Sequence, residues 1–104
     1  MPVTRVLVIA VPDAAAQDNV ITTFKGLKET ALKDGKPYLL HARAAKGEVL
    51  RDSTNGSFNT IASLTFESQA DADYFSNEDP VNKTFREEAQ GRTSGLIAIQ
   101  AHFD

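Results

Sequence analysis

Residues 4–11, TRVLVIAV, form an uninterrupted run rich in β-branched side chains that ends at Pro12, and it reads as a well-buried strand. Either orientation presents an apolar row to both sides, Val6, Val8 and Ala10 on one and Leu7, Ile9 and Val11 on the other. Such a strand has to be covered on both faces. A chain of 104 residues, 41% of them hydrophobic, can enclose one core and is expected to be a single domain over 1–104.

Asp13 is placed to cap a helix over 14–34, in which Val20, Phe24, Leu27 and Ala31 recur at helical spacing, with Ile21 and Leu32 widening the stripe. Lys25, Lys28, Glu29 and Lys33 take the other side, and Gly35 followed by Pro37 reads as the stop. Residues 38–46, YLLHARAAK, alternate as a second strand, and GEVLRDSTNGS is a connecting loop. The third strand, 58–67, places Phe58, Ala62, Leu64 and Phe66 on its inner side and Asn59, Ile61, Ser63, Thr65 and Glu67 on the other. Ser68 followed by Asp71 resembles a capping box and opens a helix to about Asn77. Asp79-Pro80 starts another, with Pro80 at the first position, Val81, Phe85 and Ala89 inward and Gly91 as the stop. The last strand is 95–103, GLIAIQAHF, with Ile97, Ile99, Ala101 and Phe103 on one face and Leu96, Ala98, Gln100 and His102 on the other.

The order is β-α-β-β-α-β with a broken second helix, and right-handed crossovers put both helical units on one side of a four-stranded antiparallel sheet. This is an α+β, ferredoxin-like arrangement. The other face of the sheet stays bare and apolar, and the economical cover is a second copy of the chain, giving a homodimer with an α/β barrel-like core.

Several classes of function are disfavoured. A net charge of -3 argues against a phosphate-binding surface, and RVLVIAV lacks the stacking aromatics of an RNA-recognition sheet, so no nucleic acid is expected. No segment approaches the length of a membrane span, and the six-residue apolar run VLVIAV is short for a secretory signal, so the protein is expected in the cytoplasm. The triplets Asn55-Gly56-Ser57 and Asn82-Lys83-Thr84 then read as chance glycosylation matches. The absence of cysteine removes disulfides and thiolate metal sites, and Asp71-Ala72-Asp73 fails as a calcium loop because Phe75 and Ser76 stand where a ligand and a glycine are needed. No cofactor and no metal are expected. There is no glycine-rich phosphate loop after strand one and no Gly-x-Ser-x-Gly elbow.

In TRVLVIAV, FNTIASLTFESQADADYF, DPVNKTF and the hydrophobic final strand, the chain resembles the stress-responsive A/B barrel (Dabb) domain family of the dimeric α+β barrel group, and KDGKPYLL resembles its fungal members. The resemblance implies homodimers built sheet to sheet, and a small polyketide-like substrate held between sheet and helices. Members that cyclise a linear polyketide are similar in using a histidine early in strand one, a tyrosine in the second helical region and a histidine in a Pro-x-His element. Here Tyr74 matches the tyrosine, whereas Arg5 and Asn82 stand at the histidine positions. Histidine titrates near neutral pH and can act as a general base; arginine and a primary amide cannot.

Tyr74, Asn82 and Arg5 are thus the candidate catalytic residues: a hydroxyl donor, a carbonyl-orienting amide and a cation that can pair with a carboxylate or an enolate-like oxygen. Leu7, Phe24, Phe85 and His41 are the candidate ligand-binding residues. Neither the face of His41 nor that of His102 follows from the sequence. The expected function is binding of a small polyketide-like or aromatic molecule, with a cyclase-like or lyase-like activity. The alternative is a non-catalytic, stress-associated dimer whose pocket is filled by its own side chains.

Overall fold

In the computed structural model, which describes residues 1–54 and 56–103, strand β1 (Val3–Ala10) gives way at Pro12 to helix α1 (Ala14–Thr30). Asp13 caps that helix, its Oδ2 accepting the Ala16 N–H at 2.8 Å. The remaining elements are β2 (Leu32–Lys33), β3 (Lys36–Pro37), β4 (Leu39–Lys46), β5 (Thr60–Phe66), α2 (Gln69–Asn77), α3 (Pro80–Ala89) and β6 (Gly95–Ala101). The four long strands form one sheet in the order β4-β5-β1-β6, every neighbouring pair antiparallel. The two crossover connections join strands that flank a third, which is the ferredoxin-like topology expected from the element order.

Register assigns the two faces. Val3, Arg5, Leu7 and Ile9 of β1 lie opposite Phe66, Leu64, Ala62 and Thr60 of β5, and Arg5, Leu7 and Ile9 lie opposite Gln100, Ala98 and Leu96 of β6. That face carries the core, with Val3, Ile9, Leu64, Phe66 and Ala62 buried against Val20, Phe24 and Leu27 of α1 and Phe75 and Phe85 of the later helices. Val6, Val8, Ile61, Ile97 and Ile99 point to the other face, which no element of this chain crosses at its centre.

The helix expected over 14–34 ends four residues early. Ala31 is extended at φ −82°, ψ 117°, and Leu32–Lys33 pairs with Lys36–Pro37 as a small hairpin. Its two turn residues, Asp34 and Gly35, have φ of 55° and 78°. Asp-Gly with both residues at positive φ is the turn chemistry of a tight hairpin, and here it outweighs the helical periodicity. Leu32 therefore leaves the helical stripe and is 40% exposed.

Phe58 also departs from its expected face. The strand starts at Thr60, because Asn59 is spent on pinning the loop: its Oδ1 accepts from Val11 N–H at 3.0 Å and its Nδ2 donates to Val11 O at 2.8 Å. The Phe58 ring instead packs over Gly56 and Gly95, at the end of the open face beside Ala10. The last strand stops at Ala101, before His102 and Phe103. Ser68 and Asp79 cap α2 and α3 as expected. No helix among the described residues is long and apolar enough to cross a membrane, and the triplet beginning at Asn55 falls partly outside those residues.

Candidate functional site

Helix α1 lies over β4 and β5, α2 over β5, and α3 against the two other helices, so the β1–β6 end of the inner face has no helix seated directly on it. A cleft of about 500 Å³ opens there. Its floor is Arg5, Leu7 and Ile9 of β1 with Leu96 and Ala98 of β6, and its walls include Phe24 of α1 and Phe75, Asn82 and Phe85 of α2 and α3. Leu96 is 57% exposed although it points to the helix side, because the cleft stands above it. Phe24 and Phe85 meet edge to face, 4.8 Å between centroids at 87°, and fix the inner wall. The volume falls within the range of small-molecule sites, about 300–1,000 Å³, and the surround is mainly apolar.

The polar groups gather on one side. Arg5 Nη1 donates to Ser76 Oγ at 2.7 Å, Nη2 to Gln100 Oε1 at 2.8 Å and to Ala72 O at 3.4 Å, and Nε to Gln100 Oε1 at 3.2 Å. The guanidinium also stacks over the Phe66 ring, 5.5 Å from its centroid. Burial lowers the Arg5 pKa, opposed by the charge of Asp73 and by Tyr38; arginine still stays cationic throughout the ordinary pH range. Gln100 is itself steadied by Gln69, to whose Oε1 it donates at 3.1 Å. Asn82 is buried and gives its Nδ2 to Phe75 O at 2.8 Å, tying α3 to α2. Its Oδ1 has no hydrogen-bond partner among the described residues and no fully buried side-chain polar atom there lacks one, so Oδ1 is not sealed off, and Asn82 is one of the residues that line the cleft.

Of the residues singled out in the sequence, Arg5, Leu7, Phe24, Asn82 and Phe85 border this one cleft. Tyr74 and His41 do not. The Tyr74 side chain leaves α2 on the opposite flank, where its hydroxyl donates to Leu32 O at 3.4 Å and its ring meets Tyr38 edge-on at 5.4 Å. His41 lies opposite Thr65, on the open face, so the sheet itself separates it from the cleft. His102 follows β6 and is exposed. Ser76, Gln100 and Arg86 were missed. Gln100 had a signal: it is the polar member of the otherwise apolar row Leu96, Ala98, Gln100, on the last strand of the sheet. Ser76 and Arg86 had none, being ordinary polar positions in short helices.

Over nearly its full length the chain resembles solved structures. The hydroxynitrile lyase from Passiflora edulis is 17% identical with a TM-score of 0.77, over 99% of this chain and 94% of that one. A dimeric ferredoxin-like protein of unknown function from Jannaschia sp. is 12% identical with a TM-score of 0.74, over 99% and 100%. A Dabb family protein with a ferredoxin-like fold from Mesorhizobium loti is 11% identical with a TM-score of 0.72, over 99% and 97%. No protein-family model and no curated protein matches the sequence. At these identities the shared property is the fold, and the ferredoxin-like α+β fold of this chain is also that of a Dabb family protein.

Proposed function

We propose that this chain is a stress-responsive A/B barrel protein that works as a two-fold homodimer and holds a small aromatic or polyketide-like molecule in the cleft between β1, β6 and the helices. The observation that carries this reading is the cleft: about 500 Å³, apolar on most sides, with Arg5, Ser76 and Asn82 converging on one. It favours a binding site over the alternative of a barrel plugged by its own side chains, because Phe24 and Phe85 pack on each other at the edge of the space rather than across it. Dimerisation is supported by the apolar open face and by fold relatives that are themselves dimeric.

The convergence of Arg5, Ser76 and Asn82 also favours a second reading, a lyase-like or cyclase-like reaction in the same cleft. The titratable side chains bordering it are arginines, which hold their protons at neutral pH, so their part in a reaction would be to orient substrate and stabilise an oxyanion rather than to move a proton. Tyr74 is assigned to packing on this reading.

Native mass spectrometry of freshly purified protein tests both halves, since it reports the multiple of 11.3 kDa and any small molecule carried with it. Ala98→Trp provides the control: Ala98 lies on the cleft floor, so a bulky ring there should fill the space and abolish ligand carriage while the dimer persists. Retained carriage in that variant would move the binding site elsewhere.

A further inference from the structure

The chain is acidic, with 14 Asp and Glu against 11 Lys and Arg, yet among the described residues the charged ones that border the cleft are Arg5 and Arg86, with no Asp or Glu. The two cations come from different walls. Arg5 rises from the sheet floor, and Arg86 lies four residues beyond Asn82 on α3, hence on the same helical face.

Arg5 is held without being neutralised. Its partners among the described residues, Gln100 Oε1, Ser76 Oγ and Ala72 O, are all uncharged, and it belongs to neither of the ion pairs found among those residues, Lys33–Asp71 and Lys46–Asp18. Asp73, the carboxylate nearest in effect, is bonded instead by Gln69 Nε2 at 2.9 Å. Four of the five guanidinium hydrogens are engaged, which fixes the fork and leaves one Nη1 hydrogen. Ser76 Oγ accepts from Arg5, so its own proton is available to a further acceptor. A half-buried, oriented cation with no carboxylate bonded to it among the described residues, beside a donor hydroxyl at the edge of an apolar cavity, is a receptor for an anionic oxygen.

Resting on the reading of the cleft as a ligand site, we propose that its ligand is a small monocarboxylate: an aromatic or short aliphatic body lying on Leu7, Phe24, Phe85 and Leu96, with its carboxylate on Arg5 and Ser76. Arg86, which also borders the cleft, adds to its positive potential. The acid form of a ligand is thereby selected over its neutral counterparts.

Calorimetric titration of the intact protein with 3-phenylpropanoate and with its neutral isostere 3-phenylpropanamide tests the assignment. The acid should bind at least ~10-fold more tightly, and the gap should narrow as salt is raised from about 20 to about 500 mM. Arg5→Gln should bring the two affinities together by weakening the acid much more than the amide. Because Arg5 also ties β1 to α2, Ser76→Ala and Arg86→Gln serve as variants less prone to unfold, each expected to weaken the acid by roughly 3–10-fold and the amide by less. Equal affinities for acid and amide in the unaltered protein would overturn the charge selection while leaving the cleft as a binding site. A ratio untouched by all three substitutions would overturn the assignment to Arg5. Failure of both probes to bind at millimolar concentration would remove the cleft reading and this one with it.

Discussion

Asp79 is a carboxylate only 1% exposed, and it is tolerated because every direction around it supplies a donor. Its Oδ1 accepts from the N–H groups of Val81 and Asn82 at 2.8 and 3.3 Å, capping α3, and its Oδ2 accepts from the Tyr38 hydroxyl. Burial, together with that bond, raises the Tyr38 pKa above its ordinary value of 10.0. The unfolded chain ionises Tyr38 near 10.0 while the fold retains the proton, so this contribution is intact below that pH and lost as pH rises past it. Tyr38→Phe should therefore cost about 1 kcal/mol at neutral pH, where the hydroxyl bond is lost, and should fall in melting temperature less steeply than the parent between about pH 9 and 11. Parallel slopes would show that Tyr38 is not the group responsible. Sequence disclosed the cap, because Asp-Pro at a helix start has one reading, but not Tyr38, whose partner lies 41 positions away. The candidate site divides in the same way. Arg5, Leu7, Phe24 and Phe85 follow from strand and helix parity, whereas Tyr74 depends on the rotation of a nine-residue helix with few apolar residues to orient it. One step of about 100° along α2 takes the chain from Tyr74, outside the cleft, to Phe75, which borders it, and a second step reaches Ser76, which borders it too.

Two elements depart from their periodicity, and each shows where a local signal decides. In β4 the register shifts between Leu39 and His41. Strict alternation from the buried Leu39 would put His41 and Arg43 under the helices; the bulge moves Ala42 and Ala44 there instead and sends both polar residues to the open face. No pattern in YLLHARAAK announces that bulge, and the face of His41 was accordingly illegible. The β2–β3 hairpin had a signal in Asp34-Gly35 that a helix-stop reading also satisfied. At Gly35, φ is 78° and a Cβ would meet nothing within 4 Å, so a substitution there tests backbone conformation alone. Gly35→Ala should destabilise by about 1–2 kcal/mol in denaturant unfolding, Gly35→Asn by less because asparagine tolerates the left-handed region, and neither should alter ligand binding, since the hairpin stands outside the cleft. Equal losses for the two variants would mean that strain at this turn is not what the glycine relieves.

At the scale of the whole molecule, the sheet has one face under helices and one without cover. Val6, Val8, Ile97 and Ile99 of β1 and β6, joined by Ile61 of β5, form an apolar part of that open face, while His41, Arg43, Ser63 and Thr65 of β4 and β5 form a polar part. The two parts adjoin along the β1–β5 pairing, where the Thr4 and Thr65 hydroxyls lie 3.3 Å apart. This much was legible, because a strand as apolar as VLVIAV must be buried on both sides wherever its helices go. The proposed two-fold partner supplies that cover, and a symmetric interface amplifies a single substitution, since each copy carries it. Ile99 is 65% exposed in the isolated chain and points straight from the face. In Ile99→Asp each copy would forfeit the burial of an isoleucine side chain, about 1.5–3 kcal/mol, before the added charge is desolvated. The dimer should weaken by at least about 3 kcal/mol, more than about 100-fold in its dissociation constant. Sedimentation at micromolar concentration should then find the 11.3 kDa species in the variant and twice that mass in the parent, with unchanged circular dichroism because the helix-side core is untouched. A parent chain that sediments at 11.3 kDa and stays soluble would mean that the open face tolerates water, and the two-fold barrel would have to be abandoned.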